Sequence, residues 1–461
     1  MYKRQILNKD GITIDGKSWG TGTRAKFYGD GPNNTQGVFS VEARDVCILG
    51  IDVDMANVKN TGMPVGAYAD KQTDNIFIDD CIIHDGANQS QDWGYALNVT
   101  SHKNPACYLV TNVLVTNCEI YNFFPEGFCV YISWNYRGAR AENVTFRSCK
   151  SAAETGGLIC NDSLNVVYEY CVFSKGHFTI RHSPQIEGGI GNTPGSHIMS
   201  GPKEFKVRHN LIYGAPSHGI LSYLPKIMKT TGEIYGNIVF NNGVADGSSY
   251  SSAVYLQRSN YGAPTPGSQI RFYNNTIYAP ALDRTGNSAL INFWVDGTDA
   301  TGDYSNLEFD IYNNIFYYDN AGNTHSNHRV FWDRWNLTDD PAKIRHFNNL
   351  YYRADSEGNP SFAVILKDTA NSYTKAQVTN YEPSALNEPP VFTRGEFPTE
   401  FVGTYGSIGG IKPNTDYFVC LPGSNTTDAG AIFESPAGKN TAIDGTVRPQ
   451  GDGYDIGAYE R

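Results

Sequence analysis

The side chains with the most chemical capacity stand at the ends of short apolar segments. Arg181 and His182 are adjacent in FTIRHS (178–183), and GILSYLPK (219–226) carries Tyr223 and Lys226. AVYLQR (253–258) ends on Gln257 and Arg258, LINFWVD (290–296) on Trp294 and Asp296, and GLICND (157–162) on Asn161 and Asp162. An arginine fork grips a carboxylate through two parallel hydrogen bonds. A histidine titrates near neutrality, and a tyrosine hydroxyl moves a proton when neighbouring cations lower its pKa. These types match the needs of β-elimination from a uronic acid: a group that neutralises the carboxylate, a base for the C5 proton and an acid for the C4 oxygen. Arg181 is expected as the clamp, with Tyr223 and His182 as the proton-transfer groups. Asn161, Asp162, Lys226, Gln257, Arg258, Trp294 and Asp296 are expected to bind substrate, the cations through further carboxylates or sulfates and the indole by stacking on a sugar face.

Two other chemistries compete for the same segments. Asp296, Asp299 and Asp303 in VDGTDATGD, joined by Asp162 and Asp333, offer the paired carboxylates of a glycoside hydrolase. Asp- and Gly-rich loops also serve as ordinary turns or as calcium ligands. Calcium is therefore the one cofactor suggested, and no metal-ligand set is defined. The third reading is a non-catalytic glycan-binding spike or adhesin, which needs aromatic platforms but neither the cationic nor the carboxylate set. Each residue also has a bland role open to it: an outward Arg is commonly a solvated or salt-bridged group, and with 30 tyrosines many simply cover scaffold.

The elements that must position these residues form a repeat. NIFIDDCIIHD (75–85), NVLVTNCEIYN (112–122), EIYGNIVFNN (233–242), IRFYNNTIYA (270–279) and FDIYNNIFYY (309–318) share one grammar, a strand, a polar kink and a second short strand. One kink position is occupied in turn by Cys81, Cys118, Cys149, Cys171, Asn210, Asn237, Asn275, Asn314 and Asn349, as in a ladder of stacked equivalents. The motif is constant while the spacing between copies is not, which argues for coils of near-constant girth with loops of varied length rather than for helical repeats or propeller blades. The expected fold is all-β, a single-stranded right-handed parallel β-helix with loop insertions and an irregular C-terminal cap. A second set of strand segments, one in each coil, carries the residues named above. Alternation assigns it an inner column, Val130, Cys160, Ile180, Leu256, Phe293, Trp332 and Leu366, and an outer column, Ser133, Asn161, Arg181, Tyr223, Gln257, Trp294, Asp333 and Lys367. The four kink cysteines read as free buried thiols, since no spacing fits a zinc site.

Composition narrows the partners. With 36 Lys+Arg against 47 Asp+Glu the formal charge is −11, which argues against nucleic-acid binding through bulk positive charge. No apolar run is long enough for a membrane helix, and the start shows no apolar signal-peptide core. Residues 1–10 are expected to be a non-native or disordered start, 11–370 the β-helix, and 371–461 irregular coils and a cap packed on it.

The NxxxxxNxIYxN grammar and the terminal DG-RP-DIGAYE segment resemble the pectate-lyase-like, right-handed parallel β-helix superfamily, over nearly the whole chain. That superfamily holds lyases, hydrolases, epimerases, tailspikes and adhesins. Residues 159–183, ICNDSLNVVYEYCVFSKGHFTIRHS, are similar to the stretch of the alginate lyase and chondroitinase B family that supplies a catalytic Lys and Arg about one coil apart. The resemblance places Arg181 and His182 on that family's Arg-His, while its Lys falls at Asn161 or Asp162, so the proton-abstracting base of that family is absent. It implies a lyase for a uronic-acid polysaccharide, secreted or at the cell surface with any signal peptide truncated. A monomer is expected, or a trimer if the chain is a tailspike; neither a nucleic acid nor a membrane is a partner.

Overall fold

The computed structural model describes residues 5–17, 23–28, 38–56, 61–66, 72–86, 95–99, 110–123, 128–132, 141–153, 158–160, 163–174, 178–181, 204–215, 218–223, 231–242, 252–258, 267–279, 288–295, 307–319, 328–333, 344–354, 363–366, 371–393, 418–430, 442–444, 446–450 and 454–460. These fall into two compact units, the described residues up to Phe205 and those from Lys206 onward.

The kink is where sequence becomes fold. The residue before each ladder position takes a left-handed backbone: φ is 53° at Asp80, 52° at Asn117, 53° at Asn274 and 55° at Asn313. Asn and Asp tolerate this conformation because a short polar side chain hydrogen-bonds locally. One such residue turns the chain from one sheet into the next and swings the following side chain inward. Tyr170 and His209, both at φ 56°, hold the same conformation without that advantage, at a cost of about 1–2 kcal/mol each.

In the first unit the chain passes through three sheets, A, B and C, in each coil. One coil is Phe39–Val41, Arg44–Leu49 and Ile51–Asp54, and the next is Thr61–Val65, Thr73–Asp79 and Ile82–His84. Successive coils pair in parallel and in register, so that Val46, Ile76, Val113, Val144 and Val166 form one buried column. Parallel coils linked this way are a parallel β-helix, and the handedness of parallel crossovers makes it right-handed. Gln5–Leu7, within the stretch set apart from the coils by sequence, pairs in parallel with Phe39–Val41, a match too short for alternation to reveal. Cys81, Cys118, Cys149 and Cys171 are thiols outside any disulfide, buried at the turn from B to C. The Cys81 and Cys149 amides donate to the sulfurs of Cys118 and Cys171, both at 3.4 Å. Burial holds the Cys118 and Cys149 thiols well above their usual pKa, which suits packing rather than reactivity.

The second unit repeats the plan with asparagine in place of cysteine. In sheet A the column Val254, Ile291, Phe331 and Ile365 fills the interior. Along the turn from B to C, Asn210 donates through Nδ2 to Asn237 Oδ1 (3.0 Å), Asn237 to Asn275 (3.0 Å), Asn275 to Asn314 (3.0 Å) and Asn314 to Asn349 (2.9 Å). Each receiving oxygen also accepts the backbone N–H of the donor residue. The ladder does not end on asparagine. Asn349 donates its backbone N–H and Nδ2 to the two carboxylate oxygens of Glu382 (2.7 and 3.0 Å), and Tyr351 adds its hydroxyl at 2.8 Å. Glu382 directly follows the helix Val378–Tyr381, so a fully buried carboxylate occupies the next rung and seats the closing segment.

The terminal residues 454–460 lie along the flank of this unit rather than over its last coil: Gly457 N–H donates to Asn313 O (2.9 Å) and Ala458 N–H to Thr276 Oγ1 (3.0 Å). The buried Arg448 braces them through the carbonyls of Asp455 (3.0 Å) and Gly457 (2.7 Å).

The Glu382 rung makes stability depend on pH. Burial lifts its carboxyl to about 7, against the downward pull of the bonds from Asn349 and Tyr351. The native state thus holds a proton that the unfolded chain releases near pH ~4.3, so this contribution is complete below that value and is lost as pH rises through about 7. Urea unfolding of the wild type and Glu382→Gln at about pH 5 and about pH 8 is expected to show the wild type losing on the order of 3 kcal/mol relative to the variant. Parallel pH profiles would contradict the assignment.

Candidate functional site

Sheet A of the second unit turns two faces to different surroundings. In the strand Ser288–Val295, Ile291 and Phe293 point inward; the Phe293 ring meets Phe309 and Phe331 edge-on, with centroids 5.2 and 4.9 Å away. Alternation then sets Asn292 on the outer face. It stands in register with Tyr255 on the preceding coil and Trp332 on the following one. Neighbouring parallel strands lie about 4.8 Å apart, so the three form a continuous aromatic, amide, aromatic column. Tyr255 is buried and packs its ring 4.6 Å from that of His218, while Trp332 is partly exposed.

Asn292 is the anomaly of this face. It is 1% exposed, yet among the described residues neither its Nδ2 nor its Oδ1 has a hydrogen-bond partner. A buried polar group left unpaired costs about 1–3 kcal/mol, and in native proteins such groups call for a specific explanation. The amide is a donor and an acceptor held ready between two rings.

Backbone register brings three of the sequence-predicted residues into one column: Tyr223 pairs with Gln257, and Gln257 with Trp294. Trp294 follows Asn292 by two residues, so this column runs beside the Tyr255, Asn292 and Trp332 one. Arg258 pairs with Val295 at the strand end. Arg181 closes the strand Phe178–Arg181 of the first unit, just after Ile180, which pairs with Cys160. Asn161, Asp162, His182, Lys226 and Asp296 lie outside the described residues, as do Asp299 and Asp303.

One sequence expectation is reversed. Trp332 pairs with Asn292 and Asp333 with Phe293, one residue out of step with the expected alignment. A slip of one residue exchanges the faces of a strand, so Trp332 turns outward and Asp333 inward. Leu366 moves with Trp332, its partner in register. Asp333 is fully buried and accepts the Tyr381 hydroxyl at 3.0 Å, and Tyr381 in turn lies 3.0 Å from His346 Nε2. Burial pushes His346 down to about 3, so the neutral ring donates from Nε2 to the tyrosine oxygen. Asp333 belongs to an interior brace and is not an outward carboxylate.

Sequence reasoning misses Asn292 and Tyr255, although a signal exists: LINFW sets one polar residue between two apolar ones, at an outward position.

Residues of metal-ligating type converge in the first unit, where ligand atoms of Asp54, His84 and Asp85 lie within 4.8 Å of one another. His84, however, places Nδ1 2.7 Å from Asp85 and Nε2 2.8 Å from Asp52, and stacks on Tyr121 at 5.3 Å. Burial pulls its pKa down, but the bonds to Asp85 and Asp52 outweigh this and the net shift is upward. The arrangement is a histidine ring bonded on both nitrogens by carboxylates, and a cation there would have to displace both bonds.

No protein-family model matches the chain. No curated protein matches it either. Among solved structures it is similar to that of the pectate lyase Pel9A, with 14% sequence identity and a TM-score of 0.41 over 100% of this chain and 85% of that one.

Proposed function

We propose that the chain is a polysaccharide lyase that cleaves a uronic-acid-containing polymer by β-elimination. The observation that carries the reading is the outer face of sheet A in the second unit, where Tyr255, Asn292 and Trp332 stand in register beside the backbone column of Tyr223, Gln257 and Trp294. A linear glycan needs repeated sites along a line, each pairing an apolar platform with a few placed polar groups, and stacked coils supply such a line. On the grounds of the sequence alone, Arg181 is the proposed uronate clamp and His182 and Tyr223 are the proposed proton-transfer groups. With Asp333 turned into the interior, the hydrolytic alternative rests on Asp162, Asp296, Asp299 and Asp303.

The test is incubation with uronate, sulfated and neutral polysaccharides, following ultraviolet absorbance and reducing ends together. Elimination raises both, because the new chain end carries a C4–C5 double bond conjugated with the carboxylate. Reducing ends that rise without absorbance would replace elimination by hydrolysis.

A further inference from the structure

If the outer face of sheet A is a glycan site, as proposed above, the chemistry of Asn292 constrains which edge of the sugar it meets. A planar amide carries a donor group and an acceptor oxygen side by side. Neither has a partner among the described residues, on a side chain that is 1% exposed, with Tyr255 and Trp332 one rung to either side. A carboxylate only accepts hydrogen bonds, so it would answer Nδ2 and leave Oδ1 unpaired. A hydroxyl both donates and accepts. Two adjacent hydroxyls on a pyranose ring satisfy both amide atoms at once: one oxygen accepts from Nδ2 and the neighbouring O–H donates to Oδ1. The flanking rings suit the apolar C–H surface of the same sugar.

We propose that Asn292 is a specificity-determining residue that reads a vicinal diol of one sugar unit, so that the uncharged edge of the polymer, and not its carboxylate, faces this rung. Sites that bond a substrate hydroxyl discriminate strongly against analogues lacking it, because their own buried polar groups are then left unpaired. The free protein carries the cost of the unpaired amide, and the bound sugar removes it.

The proposal separates stability from binding. Binding of hexasaccharides of α-1,4-galacturonate, β-1,4-mannuronate and β-1,4-glucose is measured by isothermal titration calorimetry for the wild type, Asn292→Leu and Asn292→Ser, while cleavage of the same samples is followed separately. At least one probe is expected to bind the wild type. Asn292→Leu is expected to raise the melting temperature of the free protein, since a buried unpaired amide has been removed, and to weaken that probe by about tenfold or more. Asn292→Ser, which leaves no overpacking, is expected to weaken it similarly. Variants that bind as tightly as the wild type would overturn the proposal. A wild type that binds none of the probes would overturn it together with the glycan reading of the face. Tight binding without cleavage would leave Asn292 in its role and remove only the elimination chemistry.

Discussion

Asn314→Ala is expected to lower the unfolding free energy by about 4 kcal/mol, a large share of the ~5–15 kcal/mol that holds a typical protein folded. Asn314 is completely buried, and its side chain bonds the backbone of two strands and of the turn at Asn275. Its Nδ2 shares two hydrogens among three acceptors, Phe272 O, Tyr312 O and Asn349 Oδ1, each at 2.9 Å, and its Oδ1 accepts the backbone N–H of Asn275 at 2.9 Å and that residue's Nδ2 at 3.0 Å. Alanine leaves the Asn275 N–H and the Phe272 carbonyl without these partners in a site that water does not reach, at about 1–3 kcal/mol each, and adds a small void. The comparison is Asn143, whose Nδ2 donates to Asn112 Oδ1 at 3.0 Å on the exposed outer surface, from a backbone at φ 55°. Asn143→Gly keeps that φ and is expected to change stability by no more than about 0.5 kcal/mol. Urea unfolding of both variants checks the pair, and an Asn314→Ala as mild as the surface variant would show that the ladder does not hold the coils.

The second large effect falls on activity. Arg181→Ala is expected to reduce kcat/KM on the polymer that the wild type cleaves by about 10²–10³-fold, the loss typical of removing one charge-stabilising donor from a transition state. Arg181→Lys keeps the charge but loses the two-pronged geometry, and it is expected to recover only part of the rate. Steady-state kinetics with unchanged unfolding curves would assign the loss to chemistry. A fully active Arg181→Ala would remove the proposed clamp.

The coils are legible in the sequence because the kink has narrow chemical requirements. A left-handed residue followed by an inward ladder residue selects Asp80–Cys81, Asn117–Cys118, Asn274–Asn275 and Asn313–Asn314, and these pairs are visible as a repeat. Tyr170 and His209 occupy the same position against their own preference, so only their neighbours reveal them. The end of the ladder is not legible: Glu382 arrives 33 residues after Asn349 from an irregular segment, and nothing in YEPSALN marks a carboxylate as the next rung. The outer face is legible up to its register. Tyr223, Gln257 and Trp294 align as alternation predicts, but FWD (331–333) reads equally well in either phase. Only pairing with Asn292 and Phe293 decides that Trp332 faces out and Asp333 in.

The most direct test of the central claim is the mass of the products formed in water enriched in heavy oxygen. Elimination breaks the C4–O bond without adding water, so the new non-reducing end is expected to lack one water relative to a hydrolytic product and to carry no heavy oxygen from the cleavage step. Products of full hydrolytic mass, with the solvent oxygen on C1 of the new reducing end, would contradict β-elimination.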